Sequence, residues 1–324
     1  MQTVRCTAIS AALIIIFMAS AGAAGTFRLD SSGQLRPIDS NDKFLMAAAN
    51  IKKLGQEGKT RELKKAMETL KSQFPSIAGS DYDSFVKAEI LFSKGKFDKA
   101  FYAYDSLLNN FPQSPFYQAA IDRQFSIGMA YLQGRKKKFL KIFRISGLEE
   151  GIKAMEKVAD RTGDSLIAVN ALVAVAQTYE KNQSYVEAYQ EWSIISDRWP
   201  GGTIAKDALL GMARNQYAAY SGPDFDSTSL VSAKGYYNRF NLMYPEDAKA
   251  LNIDQTLKLI DEQIVHKKFY IGKYYDRTES KKSEAGQIRP SILYFDMIQA
   301  NWPGTEAAKL AKAEEQKENI RGGK

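Results

Sequence analysis

Five times along this sequence an aromatic residue is followed directly by proline: Phe74-Pro75, Phe111-Pro112, Trp199-Pro200, Tyr244-Pro245 and Trp302-Pro303. Counting back from each proline, the same kinds of residue recur. Five places before it stand Leu70, Leu107, Ile195, Phe240 and Ile298; eight before it stand Met67, Tyr104, Trp192, Tyr237 and Phe295. Twelve before it stand Leu63, Ala100, Ala188, Ala233 and Ser291. Steps of three and four put these positions on one face of an α-helix. The mostly small first position lets a neighbouring helix approach, the large ones fill the space, and the terminal aromatic packs under the turn. Proline then stops the helix, because it has no N–H to donate and disfavours helical geometry in the residue before it. Between Pro112 and Pro200 lies a worn copy, with Gly163 in the proline place and Val158 and Met155 at the matching offsets.

A second set of helices falls between these. Ser80-Asp81-Tyr82-Asp83 opens a helix that Gly95 closes; Ser114-Pro115 opens one running through Leu132 to Gly134; Asp164-Ser165 opens Leu166–Glu180. Each start carries Ser or Asp, which is expected to accept from the free N–H groups of the first turn. A helical hairpin cannot bury its apolar face alone, whereas a stack of hairpins buries a continuous core. The expected fold is all-α: a tetratricopeptide-like helical-hairpin solenoid, a right-handed superhelix with a concave face, of about five to six repeats of roughly 34 residues with lengthened turns. Strand signals are nearly absent.

The sequence divides into a signal peptide at 1–24, an extended lead-in at 25–42, the solenoid at 43–317 with a basic insertion at 135–146, and a frayed tail at 318–324. A loop at 221–228 closing on a Ser/Thr cap and one long helix near 247–275 are expected in its C-terminal part.

Export follows from the N-terminus. Arg5 precedes an apolar run from Ala8 to Met18, and Ala21-Gly22-Ala23 supplies the small residues of a cleavage site. The run is short of the roughly 20 residues of a membrane span. The one cysteine, Cys6, precedes the apolar run and so is misplaced for acylation; no lipid anchor is expected. Periplasm, or the periplasmic face of an outer membrane, is the expected location. There the formal charge of +8 points to acidic proteins or anionic lipid rather than nucleic acid.

The unit Phe97-Asp98-Lys99-Ala100 to Tyr104, then Phe111-Pro112-Gln113-Ser114 and Ala119, returns as Tyr185-Val186-Glu187-Ala188 to Trp192, then Trp199-Pro200 and Ala205. With the export signal, these units resemble the BamD-like family of outer-membrane assembly factors over roughly residues 80–310. They also resemble the periplasmic Tol-associated coordinator of cell division. The first resemblance implies a non-enzymatic helical adaptor that binds the outer-membrane barrel insertase and its unfolded substrates. The second implies a Tol- or peptidoglycan-associated adaptor. The structural core carried by the motif is Ala100, Tyr104, Phe111, Pro112, Ala188, Trp192, Trp199, Pro200, Tyr237, Tyr244, Pro245, Phe295, Trp302 and Pro303.

No catalytic, cofactor or metal site emerges. His266 is the only histidine and has no second His or Cys beside it to make a zinc set. Gly201-Gly202-Thr203 reads as a linker rather than a phosphate loop. Glu149-Glu150 reads as the acidic opening of a helix, and Glu314-Glu315 lies in the charged tail. A helical cell-wall lyase would need a catalytic domain whose length the repeats occupy. The candidate contact is the insertion: Arg135, Lys136, Lys137, Lys138, Lys141 and Arg144, interleaved with Phe139, Leu140, Ile142 and Phe143. It reads either as a solvated loop running into a helix or as a contact for an acidic protein or anionic headgroups, each basic residue contributing on the order of 1 kcal/mol at an anionic membrane. Tyr236, Tyr274 and Tyr275 are weaker binding candidates.

Overall fold

The computed structural model describes residues 27–29, 35–37, 40–139, 143–278 and 289–322. The signal-peptide region, most of the lead-in and Lys141 lie outside them. The helices are α1 Ser40–Gln56, α2 Thr60–Gln73, α3 Ser80–Ser93, α4 Phe97–Asn110, α5 Tyr117–Leu132, α6 Leu148–Thr162 and α7 Leu166–Lys181. After them come α8 Tyr185–Arg198, α9 Gly202–Ala218, α10 Thr228–Met243, α11 Pro245–Ala250, α12 Ile253–Thr278, α13 Pro290–Asn301 and α14 Glu306–Gly322. Two short antiparallel ladders accompany them, β1 Phe27–Leu29 with β2 Leu35–Pro37 and β3 Lys136–Phe139 with β4 Phe143–Ser146. The chain divides inside α4 into two compact units, one ending at Ala103 and one beginning at Tyr104.

In the first unit α1, α2 and α3 pack on one another. Leu63, Met67 and Leu70 are buried, and the Tyr82 hydroxyl of α3 donates to the Met67 carbonyl of α2 at 2.6 Å. In the second unit successive helices from α5 to α10 pack side by side, then α10 on α12, α12 on α13, and α14 on both α12 and α13. Ala188, Trp192 and Ile195 of α8, Ala233, Tyr237 and Phe240 of α10, and Ser291, Phe295 and Ile298 of α13 are all buried. The worn copy obeys the same rule through Met155 and Val158 of α6.

The stops act on the backbone. Phe111, Trp199, Tyr244 and Trp302 are half-buried, Tyr244 and Trp302 packing against the core, whereas Pro112, Pro200, Pro245 and Pro303 are exposed and are not core. Each terminal aromatic still donates its N–H four residues back: Phe111 to Leu107 at 2.8 Å, Trp199 to Ile195 at 2.9 Å, Tyr244 to Phe240 at 2.8 Å and Trp302 to Ile298 at 2.9 Å. At Trp199 the backbone has left the helical region, with φ −127° and ψ 79°, as the following proline demands. α6 stops differently: Gly163 takes φ +57°, a conformation glycine enters without steric penalty.

The structure corrects five further expectations. The helix starts are not uniformly capped by Ser or Asp. Ser165 does accept from the Ala168 N–H at 3.3 Å, but α3 begins after Gly79 and α5 after Phe116, with no side-chain cap bond. The 221–228 loop is closed by the Asp226 carboxylate, which accepts from the Thr228 N–H at 3.2 Å. The long helix is two, α11 and α12, broken at Leu251-Asn252 where Asn252 turns through φ +53°; Asn tolerates that region better than most residues. Helix runs on to Gly322 in the tail, with Ala307, Ala308 and Ala311 of α14 buried and Glu314 paired with Lys273 of α12 at 2.9 Å.

The fifth correction concerns the basic insertion, which is a β-hairpin rather than a loop running into a helix. Its register pairs Lys136 with Ser146, Lys137 with Ile145, Lys138 with Arg144 and Phe139 with Phe143. Its stem is clamped: a Cβ on Gly147 would run into the Tyr131 ring and meet the Arg135 carbonyl oxygen at 2.7 Å. Gly147→Val is therefore expected to destabilise the protein by about 1–3 kcal/mol through overpacking and to expose the hairpin to trypsin. Unchanged melting and unchanged cleavage would sink this account of the stem.

Candidate protein-binding surfaces

The hairpin carries basic and apolar residues together and stands between α5 and α6, where the repeat has only a turn to make. Arg135 and Lys136 are exposed.

The tyrosines separate into two kinds. Tyr236 of α10 meets Tyr189 of α8 hydroxyl to hydroxyl at 2.8 Å. Burial, then that bond, pushes the Tyr236 phenol up to about 12, so it joins two repeats rather than awaiting a ligand. Tyr274 and Tyr275 of α12 remain exposed, with Tyr275 stacked on Tyr294 of α13 at 5.9 Å between ring centroids.

Two glutamates govern the middle of the second unit. Glu180, near the end of α7, gathers three donors on one oxygen, Oε1. Trp192 Nε1 of α8 donates at 2.8 Å, and from α9 Arg214 Nη2 donates at 2.7 Å and Asn215 Nδ2 at 2.6 Å. Burial alone would raise the Glu180 carboxyl; the bonds from Arg214, Asn215 and Trp192 overcome it and hold the group below its ordinary value. Beside this node a Cβ on Gly211 of α9 would meet the Trp192 ring at 2.5 Å, so the indole lies directly on the α9 backbone. Gly128 receives Met155 in the same way, and Gly272 receives Phe295.

Glu191 of α8 is the opposite case. It is 9% exposed, its Oε2 is covered and has no hydrogen-bond partner, and burial, then the neighbouring Glu156 of α6, push it up to about 7. Its stabilising contribution is thus present below about pH 4.5, where an unfolded carboxyl also holds its proton. It is lost as the pH rises to about 7, by an amount on the order of 3 kcal/mol.

His266 of α12 opens onto a cleft of about 520 Å³ with Tyr220, Glu262 and Glu306, and its ring lies 6.4 Å from that of Phe269. Glu149 and Glu150 sit in the first turn of α6. Among the described residues no three His, Cys, Asp or Glu side chains group as a metal site, and no helix is long and apolar enough to cross a membrane.

Paired helices stacked through one repeated set of buried positions define an all-α helical-hairpin repeat fold of the tetratricopeptide type. Among solved structures the chain is similar to the C-terminal part of a TPR repeat-containing protein from Cytophaga hutchinsonii. The two are 18% identical, with 84% of this chain and 95% of that one covered, at a TM-score of 0.36. No protein-family model matches the sequence, and no curated protein matches it.

Proposed function

We propose that the chain is a non-enzymatic scaffold of the bacterial cell envelope that holds other proteins, working as BamD-type outer-membrane assembly factors do. One observation carries this reading: a stack of hairpin repeats in which a β-hairpin rich in basic and apolar residues replaces a single inter-helix turn. Such a stack offers side chains of many helices to one partner, and the hairpin adds a contact that suits an acidic protein surface or anionic headgroups. The export-type leader supports a site of work in the periplasm or at the periplasmic face of the outer membrane. The partner class is the barrel insertase and its substrates.

Affinity capture from gently solubilised envelopes tests the reading. Near-stoichiometric recovery of an outer-membrane barrel insertase is the expected result. Recovery of Tol or peptidoglycan-synthesis proteins without an insertase would transfer the scaffold to division or wall machinery, and recovery of no envelope protein would overturn it.

A further inference from the structure

The cleft of about 520 Å³ beside His266 draws its walls from three separate parts of the chain: Tyr220 and Pro223 from the segment after α9, Glu262 and His266 from α12, and Glu306 from the first turn of α14. Side chains fix those walls. Lys267 of α12 donates to the Pro223 carbonyl and so ties the 220–223 segment to the helix. Gln263, one residue on from Glu262, donates its amide to the Tyr217 hydroxyl of α9 at 3.4 Å. Ala307, beside Glu306, is buried, which seats the start of α14. The polar groups that face the opening are left over. Glu262 is half-buried and His266 exposed, one helical turn apart on α12, and neither has a hydrogen bond or an ion pair among the described residues. Glu306 is paired only along its own helix, with Lys309 at 3.2 Å, and both side chains are largely exposed. A pair of that kind contributes little and gives way easily.

An aromatic ring and a proline on one wall, with accessible carboxylates on the others, match a ligand that has an apolar stem and a cationic end. We propose that this cleft takes an arginine side chain of a partner polypeptide, its guanidinium received by Glu262 and Glu306 and its plane laid against the Tyr220 ring. The inference rests on the scaffold reading and adds to it the residue by which one partner segment is gripped. A metal ion suits the cleft less well: Glu262, His266 and Glu306 line one opening without closing into a metal-holding group. Carboxylates held that far apart fit a broad, forked cation, which can donate to both, better than a point charge. The volume lies in the range of small-ligand sites and exceeds what one side chain fills. The backbone flanking the arginine therefore enters as well, along Pro223 and His266.

The test uses the full chain and a fluorescein-labelled peptide with a single arginine among glycines and alanines, read by anisotropy at low salt. The same peptide with citrulline, which keeps the shape of arginine and loses its charge, is the control. The arginine peptide is expected to bind more tightly than the control by about tenfold or more, the worth of one charge-assisted hydrogen bond. Glu262→Gln and Glu306→Gln together should abolish that advantage, and Tyr220→Leu should reduce it. Neither carboxylate is buried, so the double variant should melt with the parent, which shows that it is folded. Glu149→Gln with Glu187→Gln removes the same charge from exposed places on α6 and α8 and should leave binding as it was. Equal binding of the arginine and citrulline peptides, or an equal loss in the α6 and α8 variant, would overturn the site. If such a chain still captures envelope proteins, the scaffold reading stands without this contact.

Discussion

Trp192→Ala is expected to lower the stability of the unit that begins at Tyr104 by about 3–5 kcal/mol, as large aromatic truncations in a packed core do. The side chain is 3% exposed, lies against the α9 backbone at Gly211 and donates to Glu180. Its removal opens a cavity and leaves the Glu180 node one donor short. For a unit of this size the melting temperature should fall on the order of 10 °C, read by circular dichroism at 222 nm. A fall equivalent to less than about 1 kcal/mol would show that the indole is not a core element. The socket gives a second reading of the same contact. Gly211→Ala in the parent drives a methyl group into the indole and should destabilise. In the Trp192→Ala background the methyl meets space, and alanine's helix preference of up to about 1 kcal/mol over glycine should make it neutral or stabilising. A sign that does not change between the two backgrounds would reject the socket.

The second large effect belongs to Glu180→Ala, expected to cost about 2–4 kcal/mol at neutral pH, because it leaves several donors without their shared acceptor. Arg214 is half exposed and recovers water, and Asn215 keeps its bond to the Gly211 carbonyl at 2.8 Å. The loss therefore falls mainly on Trp192 Nε1 and the second Asn215 bond. The pH dependence has a definite sign. The folded value of Glu180 is depressed, so its contribution is full above the unfolded value of about 4.5 and is lost as the pH falls through the lower folded value. Urea unfolding should show the gap between parent and Glu180→Ala narrowing toward the acid end. A gap of equal size at pH 7 and in strong acid would mean that the side chain acts by packing and not by charge.

Much of the fold can be read from the chain, because the repeat writes its core at fixed distances from a visible mark. Ala188, Trp192 and Ile195 are found by counting back from Pro200, and the same count finds Ser291, polar by type yet fully buried. What lies across from those residues is not written locally. A glycine inside a helix carries no local sign of why it is there; at Gly128, Gly211 and Gly272 the facing Met155, Trp192 and Phe295 explain it. Glu180 meets Asn215 across 35 positions of sequence, a separation that no helical period connects. The β-hairpin was legible in principle: Phe143-Arg144-Ile145-Ser146 alternates with period two, but a run of lysines beside it carries no strand preference and hid the pattern. Glu191 shares the buried side of α8 with Ala188 and Ile195, a place its residue type does not announce.

The glycine sockets bear on how the stack answers force. Where Trp192 rests on the main chain of α9, the two helices can neither roll nor slide without lifting a rigid ring over a peptide ridge. A joint of that kind has low compliance. An ion pair between flexible side chains, such as Lys206 of α9 with Asp247 of α11 at 3.0 Å, swivels more easily. Bending of the second unit under a pulling partner is therefore expected to concentrate away from the α8–α9 seam, which travels as one plate.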